Sequence, residues 1–179
     1  MRPPLVLLLC LSAATASAQQ TWGSVHFGQS RDSVQAQLNN QNLPVESAPD
    51  GALQTNSDYP LPLPGLPYPI PMMANFHFDI NTKLDTVVLS LDVAAMRHDW
   101  SSLGSDEALY TFAANKLSFA LAGQYGAPIF SSSTCNVATE DLTTPCTIQW
   151  HGTNQVIQLE SIPTGRHLRI RYLPLAGAL

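Results

Sequence analysis

Two neighbouring segments near the middle of the chain alternate between apolar and polar residues. They are ANFHFDI, residues 74–80, and LDTVVLSLDV, residues 84–93. Successive side chains of a β-strand point to opposite faces, so this period predicts two strands with one buried face each. The polar run Asn81-Thr82-Lys83 between them predicts the turn of an antiparallel hairpin. The apolar positions assigned to the buried face are Phe76, Phe78, Ile80, Leu89, Leu91 and Val93.

The same alternation returns three times near the C-terminus. Three segments, CTIQWHG, QVIQLESI and RHLRIRYL, begin at residues 146, 155 and 166 and predict three strands. The short turn sequences at 152–154 and 163–165 would join these strands as an antiparallel meander. The apolar positions of this meander are Ile148, Trp150, Ile157, Leu159, Leu168, Ile170 and Tyr172.

Two other segments carry helical signals. Ser30 is a good N-cap, and Val34 and Leu38 are four residues apart, which predicts a short helix ending at Asn39-Asn40. A longer helix is predicted to begin after Ser105 and to end at Gly126, because glycine suits the left-handed conformation at a helix C-terminus. The apolar stripe of the longer helix consists of Leu109, Phe112, Ala113, Leu117, Ala120 and Leu121.

The segments between these elements are rich in turn-forming residues. Residues 41–58 predict a loop with at most one short strand, and residues 94–104 predict a connection. Six prolines in residues 59–71 exclude a helix or a central strand and predict an extended edge segment or connection. Proline-rich segments also dock onto aromatic grooves, so a recognition element is the alternative.

The element order predicts an α+β fold in which one unit occurs twice. Each unit is an amphipathic helix followed by an antiparallel meander, with the helices packed on one face of the sheet. The first half is expected to span residues 19–100 and includes the proline-rich connection. The second half is expected to span residues 101–179.

The N-terminus has the features of a secretory signal peptide. Arg2 supplies a positive charge, Leu5 to Leu11 an apolar core, and Ala16-Ser17-Ala18 a cleavage site before Gln19. Cys10 lies inside the apolar core, without the small residues that would precede a lipidated cysteine. We therefore expect cleavage of residues 1–18 and a soluble protein that is secreted or periplasmic.

Charge and hydropathy exclude two classes of partner. The chain has 8 Lys and Arg against 13 Asp and Glu, which gives a net charge of −5. Such an acidic chain has no electrostatic basis for binding nucleic acid. Beyond the signal peptide, no apolar segment approaches the length of a transmembrane helix, so we expect no membrane span in the mature chain.

The expected mature chain has two cysteines, Cys135 and Cys146. In an exported protein, an even pair at this spacing most simply forms a disulfide. Closing the loop between them would stabilise the fold by roughly 2–3 kcal/mol in the chain-entropy description. A metal site is the poorer alternative, because neither cysteine has a second ligand at C-x-x-C spacing.

The sequence lacks the motifs of common enzyme classes, namely G-x-S-x-G, a P-loop, H-E-x-x-H and C-x-x-C. We therefore predict no enzymatic activity, no catalytic residue and no cofactor. His98-Asp99 contains a base next to a carboxylate, but adjacent residues seldom reach the geometry of an oriented base.

The histidines raise a metal-binding alternative. His77 and Asp79 share one face of a predicted strand, and His151 or His167 would join them if their strands were neighbours. Two imidazoles and a carboxylate suit zinc or copper. These positions also face solvent in a half-buried sheet, where such residues are common, and we therefore predict no metal site.

His167, Arg169 and Arg171 alternate on the last predicted strand and form a basic stripe on an acidic protein. Such a stripe can meet an acidic partner or an anionic polymer. The alternative is that it pairs with polar and acidic side chains of the neighbouring strand, such as Gln158 and Glu160.

A short pattern carries a family resemblance. Phe27-Gly28-Gln29-Ser30, followed by Val34 and Leu38, resembles the start of small exported helix-plus-three-strand domains. These domains occur in outer-membrane-assembly small lipoproteins and tandem-domain β-lactamase-inhibitory proteins. LAGQYGAP at residues 121–128, followed by Trp150, resembles the second-half counterpart. The resemblance implies binding of other proteins or assembly of envelope complexes, and no catalysis. The chain departs from the lipoproteins because it lacks a credible lipidation site.

We therefore expect an exported binding protein that contacts a protein or an envelope component through its exposed sheet face and loops. The candidate interaction residues are His77, Asp79, His167, Arg169 and Arg171. The alternative is a periplasmic protein that binds a small ligand or a metal.

Overall fold

A computed structural model of the protein describes residues 25–55, 59–61, 68–132, 135, 145–162 and 166–175. These residues form an α+β fold, as predicted. The helices are α1 (Arg31–Asn40), α2 (Val93–Asp99) and α3 (Asp106–Tyr125), and a short 3₁₀ helix lies at Ser101–Leu103. The strands are β1 (Val45–Ser47), β2 (Leu53–Thr55), β3 (Tyr59–Leu61), β4 (Ile70–Phe78), β5 (Leu84–Leu91), β6 (Phe130–Ser131), β7 (Cys146–His151), β8 (Gln155–Ile162) and β9 (His167–Pro174). The expected signal peptide lies outside the described residues.

The described strands form one antiparallel sheet in the order β1-β2-β4-β5-β9-β8-β7-β6, with β3 paired to β4. This order is symmetric about the central pair β5–β9. Strands that follow α1 lie on one side of that pair, and strands that follow α3 lie on the other. The last strand of the first group, β5, therefore pairs with the last strand of the second group, β9, at the middle of the sheet.

The strand register gathers the predicted apolar positions on one face. One row runs through Phe76, Val87, Tyr172, Ile157 and Trp150 across five neighbouring strands, and all five side chains are buried. The helices cover this face and complete a single core with Val34, Leu38, Met96, Leu109, Ala113, Ala114, Leu117 and Leu121. None of the helices in the described residues is long and apolar enough to cross a membrane.

The two predicted helices begin and end as their caps require. The hydroxyl of Ser30 accepts a hydrogen bond from the backbone N–H of Ser33, and the hydroxyl of Ser105 accepts one from Ala108. These bonds satisfy backbone donors that have no partner within the first helical turn. At the other end of α3, Gly126 has φ 83°, a conformation that glycine adopts readily.

The segment predicted to be a connection, residues 94–104, contains α2 and the 3₁₀ helix, so that prediction was wrong. The carboxylate of Asp92 accepts a hydrogen bond from the N–H of Ala95 and starts the helix. Val93 therefore begins α2 instead of extending the strand. The short helix α2 buries Met96 in the core, and its seven residues are too few to show a clear apolar period.

The sequence also predicted too few short strands, with at most one in residues 41–58 and none directly after α3. The predicted loop at residues 41–58 contains both β1 and β2, and β6 follows α3. Each has only two or three residues and is defined by its partner strand. Alternation over so few residues gives too little signal for a sequence-based prediction.

The ends of the proline-rich segment belong to the sheet. β3 lies along the edge of β4, in line with the predicted edge segment, whereas Ile70 and Pro71 begin β4 itself. The prediction that prolines exclude this stretch from a central strand was therefore wrong at its last two residues. A proline near the start of a strand removes only one backbone N–H donor from the sheet. The carbonyl of Pro71 still accepts a hydrogen bond from the N–H of Asp92. Residues 62–67 lie outside the described residues.

The turn between β4 and β5 begins earlier than predicted. The carboxylate of Asp79 accepts hydrogen bonds from the backbone N–H groups of Asn81 and Lys83, both at 2.8 Å. These bonds end β4 at Phe78, after a register shift at His77. Ile80, predicted to be buried, therefore lies at the tip of the turn and is 99% exposed.

Candidate functional site

The sheet has a second face, opposite the helices, which we call the open face. Two neighbouring rows of side chains define it. The first row is Asn75, Val88, Arg171, Gln158 and Gln149, and the second is Met73, Ser90, Arg169, Glu160 and Thr147. All ten side chains are half-buried. Each is flanked by side chains of the neighbouring strands, whereas the described helices pack on the opposite face of the sheet.

A charged cluster lies near the middle of the open face and centres on the carboxylate of Glu160. Arg169 Nε donates to Glu160 Oε2 at 2.5 Å, and Gln158 Nε2 donates to Glu160 Oε1 at 2.8 Å. Arg171 Nη1 lies 3.6 Å from Oε1, and His167 Nε2 lies 3.7 Å from Oε2. The pairing of the basic stripe with the neighbouring strand, one of the two alternatives, is therefore present.

This pairing leaves the arginines undercompensated. One carboxylate serves two guanidinium groups, so the cluster carries a net positive charge even when His167 is neutral. The Glu160 side chain is 16% exposed, against 37% for Arg169 and 34% for Arg171. The carboxylate therefore lies deeper in the sheet surface, and the positive groups are the more accessible ones.

The other two candidate interaction residues lie away from the cluster. His77 is on the open face, and its Nδ1 is 3.8 Å from Oδ2 of Asp50 in the β1–β2 turn. Asp79 was expected beside His77 but lies beyond the end of β4, where it holds the turn. The backbone N–H of Lys83, assisted by that of Asn81, holds the pKa of the Asp79 carboxyl below its usual value.

The structure does not bring the metal-ligand candidates together. His77 on β4 and His151 on β7 are four strand steps apart, or about 19 Å at the usual strand spacing. His167 is at the opposite end of β9, roughly 20 Å along the strand from the row of His77. Within the described ranges, no three His, Cys, Asp or Glu side chains form a group that could hold a metal ion.

Cys135 and Cys146 form a disulfide, as predicted, with Cα atoms 5.1 Å apart. The bond ties the chain that follows β6 to the first residue of β7. The N–H of Cys135 also donates to the carbonyl of Ser132. The disulfide therefore anchors one edge of the sheet, while the loop residues 136–144 lie outside the described residues.

A small cavity of about 210 Å³ lies where α2 meets α3 and is lined by Arg97, Trp100, Ser101, Gly104, Ser105 and Leu109. Trp100 packs against Tyr68 and Phe112, with ring centroids at 5.8 and 4.7 Å. Arg97, at its rim, is already paired with Asp106. The cavity is smaller than typical ligand pockets of roughly 300–1,000 Å³. It therefore supports a small-ligand function less well than the open face supports binding of a larger partner.

The His98-Asp99 pair has the contact that adjacent residues seldom make. His98 Nδ1 lies 2.9 Å from Asp99 Oδ1. Both residues are exposed at the end of α2, and neither lines the cavity beside it. The pair is thus an exposed contact on the protein surface.

Sequence reasoning missed the residues that flank the arginines on their other side. Val88 and Ser90 of β5 lie directly beside Arg171 and Arg169 of β9. About eighty residues separate these pairs in the chain, and no turn joins the two strands. Nothing in the local sequence pattern could have identified them.

Comparison with protein-family models, curated proteins and solved structures finds no match to this chain. The resemblance to outer-membrane-assembly lipoproteins and β-lactamase-inhibitory proteins therefore stays a prediction. The function must be argued from the geometry of the open face itself.

Proposed function

We propose that this protein is an exported, non-enzymatic binding protein that contacts another protein, or a protein component of the cell envelope, with its open face. One observation carries the proposal. In the part of the chain that the structure describes, the helices cover only one face of a broad antiparallel sheet, and the opposite face presents accessible side chains from five long neighbouring strands.

The size of the open face suits a protein partner. The five long strands, at a spacing of about 4.8 Å, give the open face a width of roughly 24 Å. The five central strands have six to nine residues each, which corresponds to a length of roughly 20–30 Å. The resulting area of roughly 500–700 Å² approaches the ~800 Å² that each partner contributes to a typical stable interface.

The composition of the open face also supports this proposal. Apolar side chains are interspersed on it with amides, hydroxyls and the two arginines. These apolar side chains are Met73, Val88, Val156, Ile162 and Leu173. Specific interfaces combine an apolar centre with a polar rim and are enriched in Met and Arg. The open face has this mixture, with Val88 between Asn75 and Arg171 at its centre.

Export is part of the proposal and rests on two supports. The first is the signal-peptide pattern of residues 1–18, and the second is the Cys135–Cys146 disulfide. Disulfides persist in oxidising compartments and are rare in the cytosol.

The test uses the mature protein as bait for the exported fraction of its own cell. A recovered protein would be identified, purified and titrated against the wild type and two variants. Val88→Asp places a charge at the centre of the open face, and Phe119→Asp places the same charge on the exposed surface of α3. We expect Val88→Asp to weaken binding at least tenfold and Phe119→Asp to leave it unchanged. Equal affinities for both variants, with native circular dichroism, would contradict the proposal.

A further inference from the structure

We propose that the open face recognises an extended acidic segment of the partner protein, whose carboxylates bind Arg169 and Arg171 while Glu160 holds Arg169 in place. This inference rests on the proposed function and names the chemical class of the partner. It is carried by the unused donors of the two guanidinium groups and by their spacing along β9.

Both arginines have hydrogen-bond donors to spare. A guanidinium group has five N–H donors. In the described part of the chain, Arg169 uses Nε on Glu160, and Arg171 approaches the same carboxylate no closer than 3.6 Å. The remaining N–H groups therefore lie on a surface that is about one-third exposed. They suit carboxylate oxygens, which guanidinium groups bind in a two-pronged geometry.

The spacing of the arginines matches an extended peptide. Arg169 and Arg171 are alternate residues of one strand, so their Cα atoms are about 6.5–7 Å apart. Alternate residues of an extended acidic segment have the same spacing. Two carboxylates of such a segment can therefore meet two guanidinium groups at once.

Glu160 fixes the position of Arg169 before the partner arrives, and its charge attracts Arg171 at 3.6 Å. Its carboxylate is half-buried between Gln158 and Arg169 and is held by a hydrogen bond from each. Side chains that are already ordered lose less conformational entropy on binding. Glu160 also competes with an incoming carboxylate, because it neutralises one of the two positive charges. Glu160→Gln removes this competing charge and keeps one acceptor oxygen for Arg169, and it should therefore strengthen the binding of an acidic ligand.

Charge favours an acidic protein segment over a polymer of phosphates. Arg169 and Arg171 are the only Arg or Lys residues at open-face positions of the described strands. The whole chain has a net charge of −5. A nucleic acid carries a dense, continuous charge and requires many more cations than two. A short acidic segment with two carboxylates in reach needs only this pair.

The test measures binding of fluorescein-labelled hexaglutamate by fluorescence anisotropy in low salt. We expect saturable binding to the wild type that weakens strongly in 0.5 M NaCl, because salt screens exposed charges. Arg169→Gln and Arg171→Gln should each weaken binding about fivefold or more. Arg31→Gln is the matched control, since it removes the same charge from α1, and it should change binding less than twofold. Glu160→Gln should tighten binding about three- to tenfold.

Four results would overturn the inference. They are absence of hexaglutamate binding to the wild type, an equal effect of Arg31→Gln, weaker binding by Glu160→Gln, and tighter binding of a ten-residue oligothymidylate than of hexaglutamate. Circular dichroism establishes that each variant is folded, and Glu160→Gln keeps the test decisive if an arginine variant unfolds. A natural partner that depends on Val88 but is indifferent to both arginines would overturn this inference and leave the proposed function intact. Binding of hexaglutamate by the arginines, together with a natural partner that binds elsewhere than the open face, would overturn the proposed function and leave this inference intact.

Discussion

Arg169 and Glu160 lie directly opposite each other on β9 and β8, and Arg169 Nε is 2.5 Å from Glu160 Oε2. The pair is half-buried, and its distance is the shortest of the charge contacts that Glu160 makes with the described residues. Because Arg171 and His167 share the same carboxylate, Glu160 is the centre of the cluster and Arg169 is one of its partners.

Because Glu160 has more partners than Arg169, we expect Glu160→Ala and Arg169→Ala to destabilise the protein by different amounts. Glu160→Ala leaves two guanidinium groups without their counter-ion, whereas Arg169→Ala leaves a carboxylate that Arg171 and Gln158 still contact. We expect Glu160→Ala to lower the free energy of unfolding by about 1–2 kcal/mol and Arg169→Ala by about half as much. Urea denaturation of both single variants and the double variant would measure the coupling between them. Equal costs, or no coupling in low salt, would contradict this description.

The disulfide should contribute to stability without defining the fold. It closes a short loop at the edge of the sheet, so its loss mainly enlarges the unfolded ensemble. We expect the Cys135→Ser, Cys146→Ser double variant to lose about 2–3 kcal/mol of unfolding free energy and to keep its circular dichroism spectrum. Thermal unfolding of the wild type with and without dithiothreitol provides the control. A variant with unchanged stability would show that the loop is constrained by other contacts.

Gly152, in the turn between β7 and β8, has no room for a side chain. An added Cβ would lie 2.9 Å from Cγ of Gln155 and 3.2 Å from Cδ1 of Ile157. Gln155 and Ile157 are buried, so neither can move away freely. We expect Gly152→Ala to destabilise the protein by about 1–3 kcal/mol.

Gly123 in α3 is the matched control for Gly152. An added Cβ there meets no atom within 4 Å, and the residue is helical. Alanine has a higher helix propensity than glycine, so Gly123→Ala should stabilise the protein by about 0.5–1 kcal/mol. Chemical denaturation of the two variants side by side should shift the midpoint in opposite directions. Shifts of the same sign would contradict the packing assigned to one of these glycines.

Asp79 predicts a dependence of stability on acid pH. Its pKa in the folded protein lies below the ordinary value of 3.8, mainly because the N–H of Lys83 donates to the carboxylate. Because the pKa is lower in the folded than in the unfolded protein, ionised Asp79 stabilises the fold. This stabilisation is fully present above the unfolded pKa and is lost as pH falls through the folded pKa. Stability should therefore fall below about pH 4, and it should fall less steeply in Asp79→Asn.

Two measurements check this prediction. Thermal unfolding between pH 6 and pH 2 gives the slopes for the wild type and the variant, and carbon-13 titration gives the carboxyl pKa of Asp79 directly. Asp106 contributes in the same direction, since a hydrogen bond from Arg97 lowers its pKa. A titration of Asp79 at or above 3.8 would show that the turn bonds do not form in solution.

Local chemistry accounts for the predictions that succeeded. The bounds of α1 and α3 follow from Ser30, Ser105 and Gly126, whose side chains or backbone conformations act on their own neighbours. The long strands follow from the alternation of side chains, which is a property of each strand alone. By contrast, β6 has too few residues for alternation to be detected, and α2 has too few for a helical period.

The sequence by itself determined the α+β class, the long strands, the two capped helices and the cysteine pair, because caps, alternation and short loops act between near neighbours. Only the tertiary structure decided that β5 pairs with β9, which places Val88 beside Arg171 and separates His77 from His151. Backbone hydrogen bonds of a sheet are alike for every strand, so the choice of a distant partner depends on how the buried side chains pack under the helices. The basic stripe was visible in the sequence, but its setting at the centre of an open face came from that packing.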